Sequence, residues 1–309
     1  MIERPLPGRA GVFDAAAPVV HLGTDDLTDD RFAEWMRQQL TAAAERLGLS
    51  VTGPAKCGQA YRSISADAEG PGGSCWLRVG TEDARWTDDP MWTGIASSAA
   101  ITGVPMPRPL AAAAWTSDRW AAVEGHPRGL RADVVTRLEG RPCSPTEVLR
   151  QDLELPDDWW SDLVAALQNL RGTPTTRFAR GSGPDHAIAD VFGAEIADRH
   201  PITRWETTHG DLHWNNLFGP RVGILDWEMW GKGPAGTDAA TLLCCALLTP
   251  RTAQRVRDAF ADVLDTEAGR AAQLFVAARL IQRHRFHPDL VGPLQAHVRD
   301  MLRQPATSR

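Results

Sequence analysis

The chain has 309 residues, 43% of them hydrophobic and 23% charged, with a formal net charge of −6, an ordinary globular composition long enough for two lobes around separate cores. That acidic balance argues against a general polyanion binder, whose affinity rests on clustered positive charge, so no nucleic-acid partner is expected. No apolar run approaches the ~20 residues that span a bilayer, and the opening MIERPLPGRAGVF lacks the basic-then-apolar layout of a secretory signal, which together predict a cytoplasmic protein with no membrane partner.

In chain order, Asp29 and Asp30 precede RFAEWMRQQLTAAAERLGL, where Phe32, Met36, Leu40 and Leu47 recur near helical spacing and Gly48 supplies a stop. Residues 1–49 therefore read as an N-terminal helical extension. From Ser50 to Gly80 the short runs SVTG, AYRSISA and SCWLRVG alternate with Gly-rich turns, the pattern of a three-stranded antiparallel meander. A helix is predicted after Asp88 or Asp89, with Pro90 in its first turn, through MWTGIASSAAIT until VPMPRPL forces extended chain. Two strands follow at AAAAW and RADVVTRL, ending at Glu139 and Gly140.

Beyond Gly140 helical patterns dominate: DDWWSDLVAALQNLRG, DHAIADVFGAEIADRH and three C-terminal segments between Thr237 and Leu302, interrupted by the strand-like WETTHGDL and VGILDW. The prediction is an α+β chain with a small antiparallel-sheet lobe over 50–140 and a larger helical lobe over 141–309. Cys57, Cys75, Cys143, Cys244 and Cys245 contain no CxxC pair and are expected to be buried, reduced thiols rather than disulfide or zinc partners.

The strongest chemical signal is the run from His209 through Asp211 to Asn216 (HGDLHWNN), followed ten residues after Asn216 by Asp226 in GILDW. Phosphoryl transfer needs a carboxylate to receive the acceptor's hydroxyl proton and oxygen ligands to hold magnesium on the phosphates, and each requirement has a candidate in this run. Taken singly, Asp211 also reads as a turn residue and Asn216 as a helix cap. By residue type His209, Asp211 and His213 also allow zinc, although amide and carboxylate oxygens suit magnesium better.

The spacing H-x-D-x-x-x-x-N, then an apolar strand ending in Asp, resembles the signature of the aminoglycoside phosphotransferase family, small-molecule relatives of the protein kinases. VPMPRPL, VVTRLEGRP and GKGPAGTDAATLLCCALL resemble further family segments, so that the likeness covers about residues 50 to 285. It implies a bilobal protein-kinase-like fold, Asp211 as catalytic base, Asn216 and Asp226 as magnesium ligands, and His209 as a brace of the loop. The cofactors implied are Mg2+ and ATP or GTP as phosphate donor.

The family's strand lysine is replaced by Arg78, which keeps the charge but presents a planar fork. MWTGIASSAAIT holds no glutamate to steady it, Asp89 being the nearest carboxylate, and Lys56 in the turn GPAKCG is a second candidate for the phosphates. Residues 134–139, including Val135 and Arg137, are expected to offer backbone groups to the nucleobase by the same resemblance. The acceptor is expected against the helical lobe. Glu228 and Asp238 are acidic candidates there, Asp238 doubling as a first-turn helix carboxylate, while the run from Arg279 through Arg283, His284 and Arg285 to His287 is basic and Trp227 and Trp230 read as stacking walls or core.

The expected partner is a hydroxylated small molecule, foremost an antibiotic inactivated by phosphorylation. Alternatives are a primary-metabolite alcohol such as a sugar, a choline-like alcohol or homoserine, and a nucleotide-binding protein without turnover. Protein kinase activity is disfavoured because no DFG triplet with a following APE element is present. Oligomeric state is not readable from the sequence.

Overall fold

The structure, a computed structural model, describes residues 30–58, 61–120, 126–178 and 185–303, and the readings made for residues 1–29 lie outside it. Helix α1 (Asp30–Leu47) buries Phe32, Trp35, Met36, Leu40 and Ala43 on one stripe. That stripe shares a single core with Ile64, Ala66 and Ala68 of β3 (Ser63–Gly70), Leu77 and Val79 of β4 (Gly73–Asp83), and Leu130, Ala132 and Val134 of β6 (Arg128–Thr136). An amphipathic helix must cover its apolar face, and here the sheet does so. Helix α1 is thus part of the sheet unit rather than a separate extension: the chain divides into residues 30–100 with 106–138, and 101–105 with 139–303.

In the sheet unit the strand order is β1-β3-β4-β6-β5, with β1 (Ser50–Val51) and β2 (Lys56–Cys57) both pairing with β3, and β5 (Pro109–Ser117) at the far edge. The β3–β4 hairpin turns at Pro71 and Gly72, between the paired residues Gly70 and Gly73. Side chains alternate along β4, so Cys75, Leu77, Val79 and Thr81 are buried while Trp76 and Arg78 lie on the opposite, half-exposed face.

The helix expected over MWTGIASSAAIT forms as short pieces: a 3-10 turn at Pro90–Thr93, α2 (Gly94–Ser97), and a second 3-10 turn at Ser98–Ala100. Gly94 costs backbone entropy, and the hydroxyls of Ser97 and Ser98 donate to the carbonyls of Gly94 and Ile95 three residues back, which favours tight turns over a continuous helix. Asp89 caps the first turn, accepting the Met91 N–H at 2.8 Å.

The second unit begins with β7 (Arg141–Pro142) and α3 (Asp157–Arg171). The predicted helix over DHAIADVFGAEIADRH is split by Gly193, at φ +94°, into α4 (Asp185–Phe192) and α5 (Ala194–Arg199). Strands β8 (Trp205–Thr208), β9 (Leu217–Gly219), β10 (Gly223–Ile224) and β11 (Gly231–Pro234) follow.

The three expected C-terminal segments resolve into five helices, α6 (Thr237–Cys244), α7 (Pro250–Ala259), α8 (Ala261–Leu264), α9 (Glu267–Gln282) and α10 (Val291–Arg303), with Pro250 opening α7 and the Thr266 hydroxyl capping α9. Helix α9 is buried on every side from Gly269 to Ala278, which makes it the axis of the unit. Trp160 lies edge-on to both Trp159 and Trp214, with ring centres 5.2 and 6.1 Å away.

All five thiols are free; Cys57 is exposed and Cys143 half-buried, contrary to the expectation that all are buried. Burial pushes the Cys143 and Cys244 thiols up to about 12, so neither is a nucleophile. Among the described residues no helix is long and apolar enough to cross a membrane.

Candidate active site

Strands β8 and β11 pair antiparallel, with Thr208 opposite Gly231, and the chain leaves β8 directly into His209. Gly210 has φ +83°, and a Cβ there would stand 2.6 Å from the Met229 carbonyl oxygen, so this close passage of two backbones requires glycine. Asp238, in the first turn of α6, accepts the backbone N–H of His209 at 2.8 Å and of Gly210 at 3.2 Å. Its carboxyl is buried, and burial pushes it up to about 7 against the pull of those two N–H groups. Asp238 thus stands in the first turn of α6, as one of its two sequence readings has it, and from there it ties the loop of His209 and Gly210 to the helix.

His209 is fully buried. Its Nε2 lies 2.7 Å from the Leu225 carbonyl and its Nδ1 accepts the Asp211 N–H at 3.4 Å, an arrangement that assigns a neutral ring protonated on Nε2. Burial pushes this imidazole down to about 4, and Trp227 packs edge-on against it at 4.7 Å. With both nitrogens occupied, His209 cannot ligate zinc, and no cluster of three His, Cys, Asp or Glu suited to a metal exists among the described residues.

The Asp211 side chain, by contrast, is 40% exposed, with Oδ2 3.7 Å from His213 Nε2. Its backbone carbonyl accepts the Asn216 amide N–H at 3.0 Å. The result is an accessible carboxylate at the tip of a loop whose backbone is held from several sides.

The β9–β10 hairpin carries the other two candidates to one end. Leu217 faces Ile224, and the Leu225 N–H donates to the Asn216 carbonyl at 2.8 Å. Asn216 turns its amide NH2 into the loop, which leaves Oδ1 as the oxygen available to a cation. Asp226, exposed, adopts φ +63°, a left-handed conformation that Asp tolerates better than most residues and that strained functional turns use. Trp227 Nε1 donates to the Ile224 carbonyl at 2.8 Å and closes this turn. One amide oxygen and one carboxylate suit magnesium, which takes few protein ligands when phosphate oxygens complete its shell.

In the sheet unit, Arg78 of β4 stands across from Ser65 of β3 and Asp133 of β6. Asp133 is buried and receives the Arg131 Nε on both carboxylate oxygens at 3.0 Å. Lys56 places its Nζ over the Trp76 ring at 5.3 Å, and Arg137 pairs with Asp67 at 3.1 Å. Val135 is buried, between Trp76 and Pro109 in the sheet register. Lys56, Arg78, Arg131 and Arg137 are thus all features of the sheet unit. Asp133 escaped the sequence reading because the search for a carboxylate near Arg78 followed helix spacing, whereas strand register sets one directly across from it.

Trp227 and Trp230 are both buried, so of their two readings, stacking walls or core, they are core. The carbonyls of Trp230 and Glu228 receive the Arg177 guanidinium at 2.8 and 3.1 Å. Glu147, unnoticed in the sequence, gathers two basic groups of the predicted run, His287 Nε2 at 3.3 Å and Arg283 at 4.0 Å. Only spatial proximity reveals it.

A family model described as "Phosphotransferase enzyme family" matches residues 182–275, the segment that contains Asp211, Asn216, Asp226 and Asp238. No curated protein matches the chain in sequence. Among solved structures the chain is similar to aminoglycoside phosphotransferase APH(4)-Ia, with 13% identity and TM-score 0.52 over 91% of this chain and 100% of that one. It is similar to the amicoumacin kinase hAmiN, solved with AMP-PNP, Ca2+ and Ami, with 12% identity and TM-score 0.53 over 93% and 97%. A microcompartment-associated aminopropanol kinase gives 14% identity and TM-score 0.51 over 86% and 95%. At such identities the likeness is one of fold, and it bears out the α+β, protein-kinase-like fold expected from the sequence.

Proposed function

We propose that the chain moves the γ-phosphate of ATP or GTP onto a hydroxyl of a small molecule, an antibiotic in the first instance, a reading that its matched family segment and its fold support. The observation that carries this reading is the accessible Asp211 carboxylate on a loop fixed by the buried His209 and Asp238. Such a group accepts the hydroxyl proton as the oxygen attacks phosphorus, and a fixed position is what makes it effective.

Asn216 Oδ1 and Asp226 would hold magnesium, whose chemistry is to bridge phosphate oxygens and offset their charge. Ca2+ and AMP-PNP in the amicoumacin kinase support a divalent ion with an adenine nucleotide. In the sheet unit, Arg78 and Lys56 would meet phosphates, with the Arg131-clamped Asp133 in the orienting role that a helix glutamate would otherwise take. The backbone around Val135 and Arg137 would receive the nucleobase. Phosphate on a drug adds charge and bulk, the logic of resistance in the cytoplasm where nucleotide is abundant.

The test is transfer from Mg-ATP and Mg-GTP to a panel of aminoglycoside, nucleoside and peptide antibiotics alongside simple alcohols, read by mass spectrometry. A phosphorylated antibiotic supports the full reading. A phosphorylated alcohol alone keeps the chemistry and removes the resistance role, as the aminopropanol kinase likeness would suit. Nucleotide binding with no transfer to any compound overturns the phosphotransferase reading.

A further inference from the structure

Within the helical unit, one cluster beside Asp211 is left unused by the chemistry described so far. Arg279 and Arg283 are four residues apart, on one side of the end of α9. Glu147 reaches this cluster from the other direction: its backbone carbonyl accepts the Trp214 N–H at 3.4 Å, three residues after Asp211, and its carboxylate meets Arg283 at 4.0 Å and His287 at 3.3 Å. Beneath them lies buried Cys245, whose carbonyl accepts the Leu149 N–H at 2.9 Å and whose thiol feels the charges of Glu147, Asp211 and Arg283 together. Arg279 likewise feels both Asp211 and Arg283. The cluster and the catalytic carboxylate therefore share one neighbourhood.

Arg283 is the telling member. Its side chain is 34% exposed, and 4.0 Å from Glu147 is an ion pair too long for a hydrogen bond. Its other contact is the Phe286 ring, 5.7 Å away. A guanidinium fork matched to a carboxylate binds it through two parallel N–H groups, and this fork makes no side-chain hydrogen bond among the described residues. We propose that Arg283, with Arg279 one turn before it, is the acceptor-specificity site and takes a carboxylate carried by the hydroxyl compound, for which the Glu147 carboxylate competes. The proposal rests on the phosphotransferase reading for the word acceptor, but the anion site itself does not.

The experiment measures binding without nucleotide, by ligand-observed NMR, of three matched probes: 3-hydroxybutyrate, 3-hydroxybutyramide and 4-amino-2-butanol. The carboxylate is expected to bind best, by about tenfold, the effect of one charge-assisted pair. Arg283→Gln should erase that preference. Glu147→Gln, which removes the competing carboxylate, should strengthen it, a change of sign that misfolding does not produce. Equal binding of the three, preference for the ammonium probe, or binding of none overturns the proposal. Because no turnover is read, either result leaves the phosphotransferase reading to its own test.

Discussion

Under the proposed function, the loop around Asp211 and the polar face of the sheet solve different problems, and their construction differs accordingly. Around Asp211 the ordering groups are buried and act on the backbone: Asp238 on two N–H groups, His209 on Leu225 and on the Asp211 N–H, and Asn216 on the Asp211 carbonyl. On the sheet, by contrast, Arg137 pairs with Asp67 and Lys56 lies over Trp76 through side chains at half-exposed or exposed positions, the largely buried Arg131–Asp133 pair apart. A base must sit within a fraction of an ångström of its proton, whereas phosphate binding by a field of cations tolerates movement and exchange of residue type. Damage to the loop should therefore be abrupt, and damage to the sheet face gradual.

The largest effect is expected from Asp211→Asn, which keeps volume and removes the base. Turnover should fall about 10²- to 10⁴-fold while nucleotide affinity, read by calorimetry, stays close to wild type. A variant with nearly full turnover would remove Asp211 from the chemistry. Asp238→Asn should come next. An amide has one acceptor oxygen, so one of the two buried N–H groups loses its partner at a cost of about 1–3 kcal/mol. Both the melting temperature and kcat should drop, although Asp238 touches no substrate; a drop in stability alone would separate the brace from the alignment of Asp211.

Much of this division was legible in the sequence. The HGDLHWNN run and Asp226 singled out the loop as the candidate, because a metal-assisted transfer needs those groups at short spacing, and the β-like run SCWLRVG between Gly-rich turns marked β4, which carries Arg78. What escaped depended on tertiary contact. Periodicity showed that α1 had an apolar stripe but not that the sheet would cover it. Gly193 and the Ser97–Ser98 pair broke helices whose average pattern looked continuous, since a single left-handed residue or back-bonded hydroxyl outweighs propensity. Strand register sets Asp133 opposite Arg78, and Glu147 finds Arg283 through a contact 136 residues along the chain (147 to 283), neither of which local sequence encodes.

Acid should test how firmly the loop is held. His209 is neutral in the folded state, its folded value depressed from 6.5 to about 4 by burial, so its contribution is complete above pH 6.5 and is lost as pH falls toward 4. The loss amounts to about 3 kcal/mol at the low end. Asp238 works in the opposite sense: its carboxyl is raised from 3.8 to about 7, so its contribution is present below 3.8 and declines as pH rises to about 7. The two partly cancel in the wild type. The informative quantity is the melting-temperature gap between wild type and His209→Asn, which should narrow steadily from pH 6.5 to 4. A gap independent of pH would mean that the ring does not titrate as its burial requires.

The smallest effect belongs to the sheet. If Arg78 meets phosphate chiefly as a positive charge, Arg78→Lys should change the KM for ATP little and Arg78→Gln should raise it by about fivefold, the worth of one partly exposed charge contact of about 1 kcal/mol. In neither variant should kcat move by more than a small factor, since Asp211 and its braces belong to the other unit. A collapse of kcat in Arg78→Lys would instead mean that the guanidinium fork, oriented beside Asp133, aligns the transferred phosphate. The sheet face would then be as exacting as the loop, and the distinction between a fixed base and a tolerant cationic field would no longer hold.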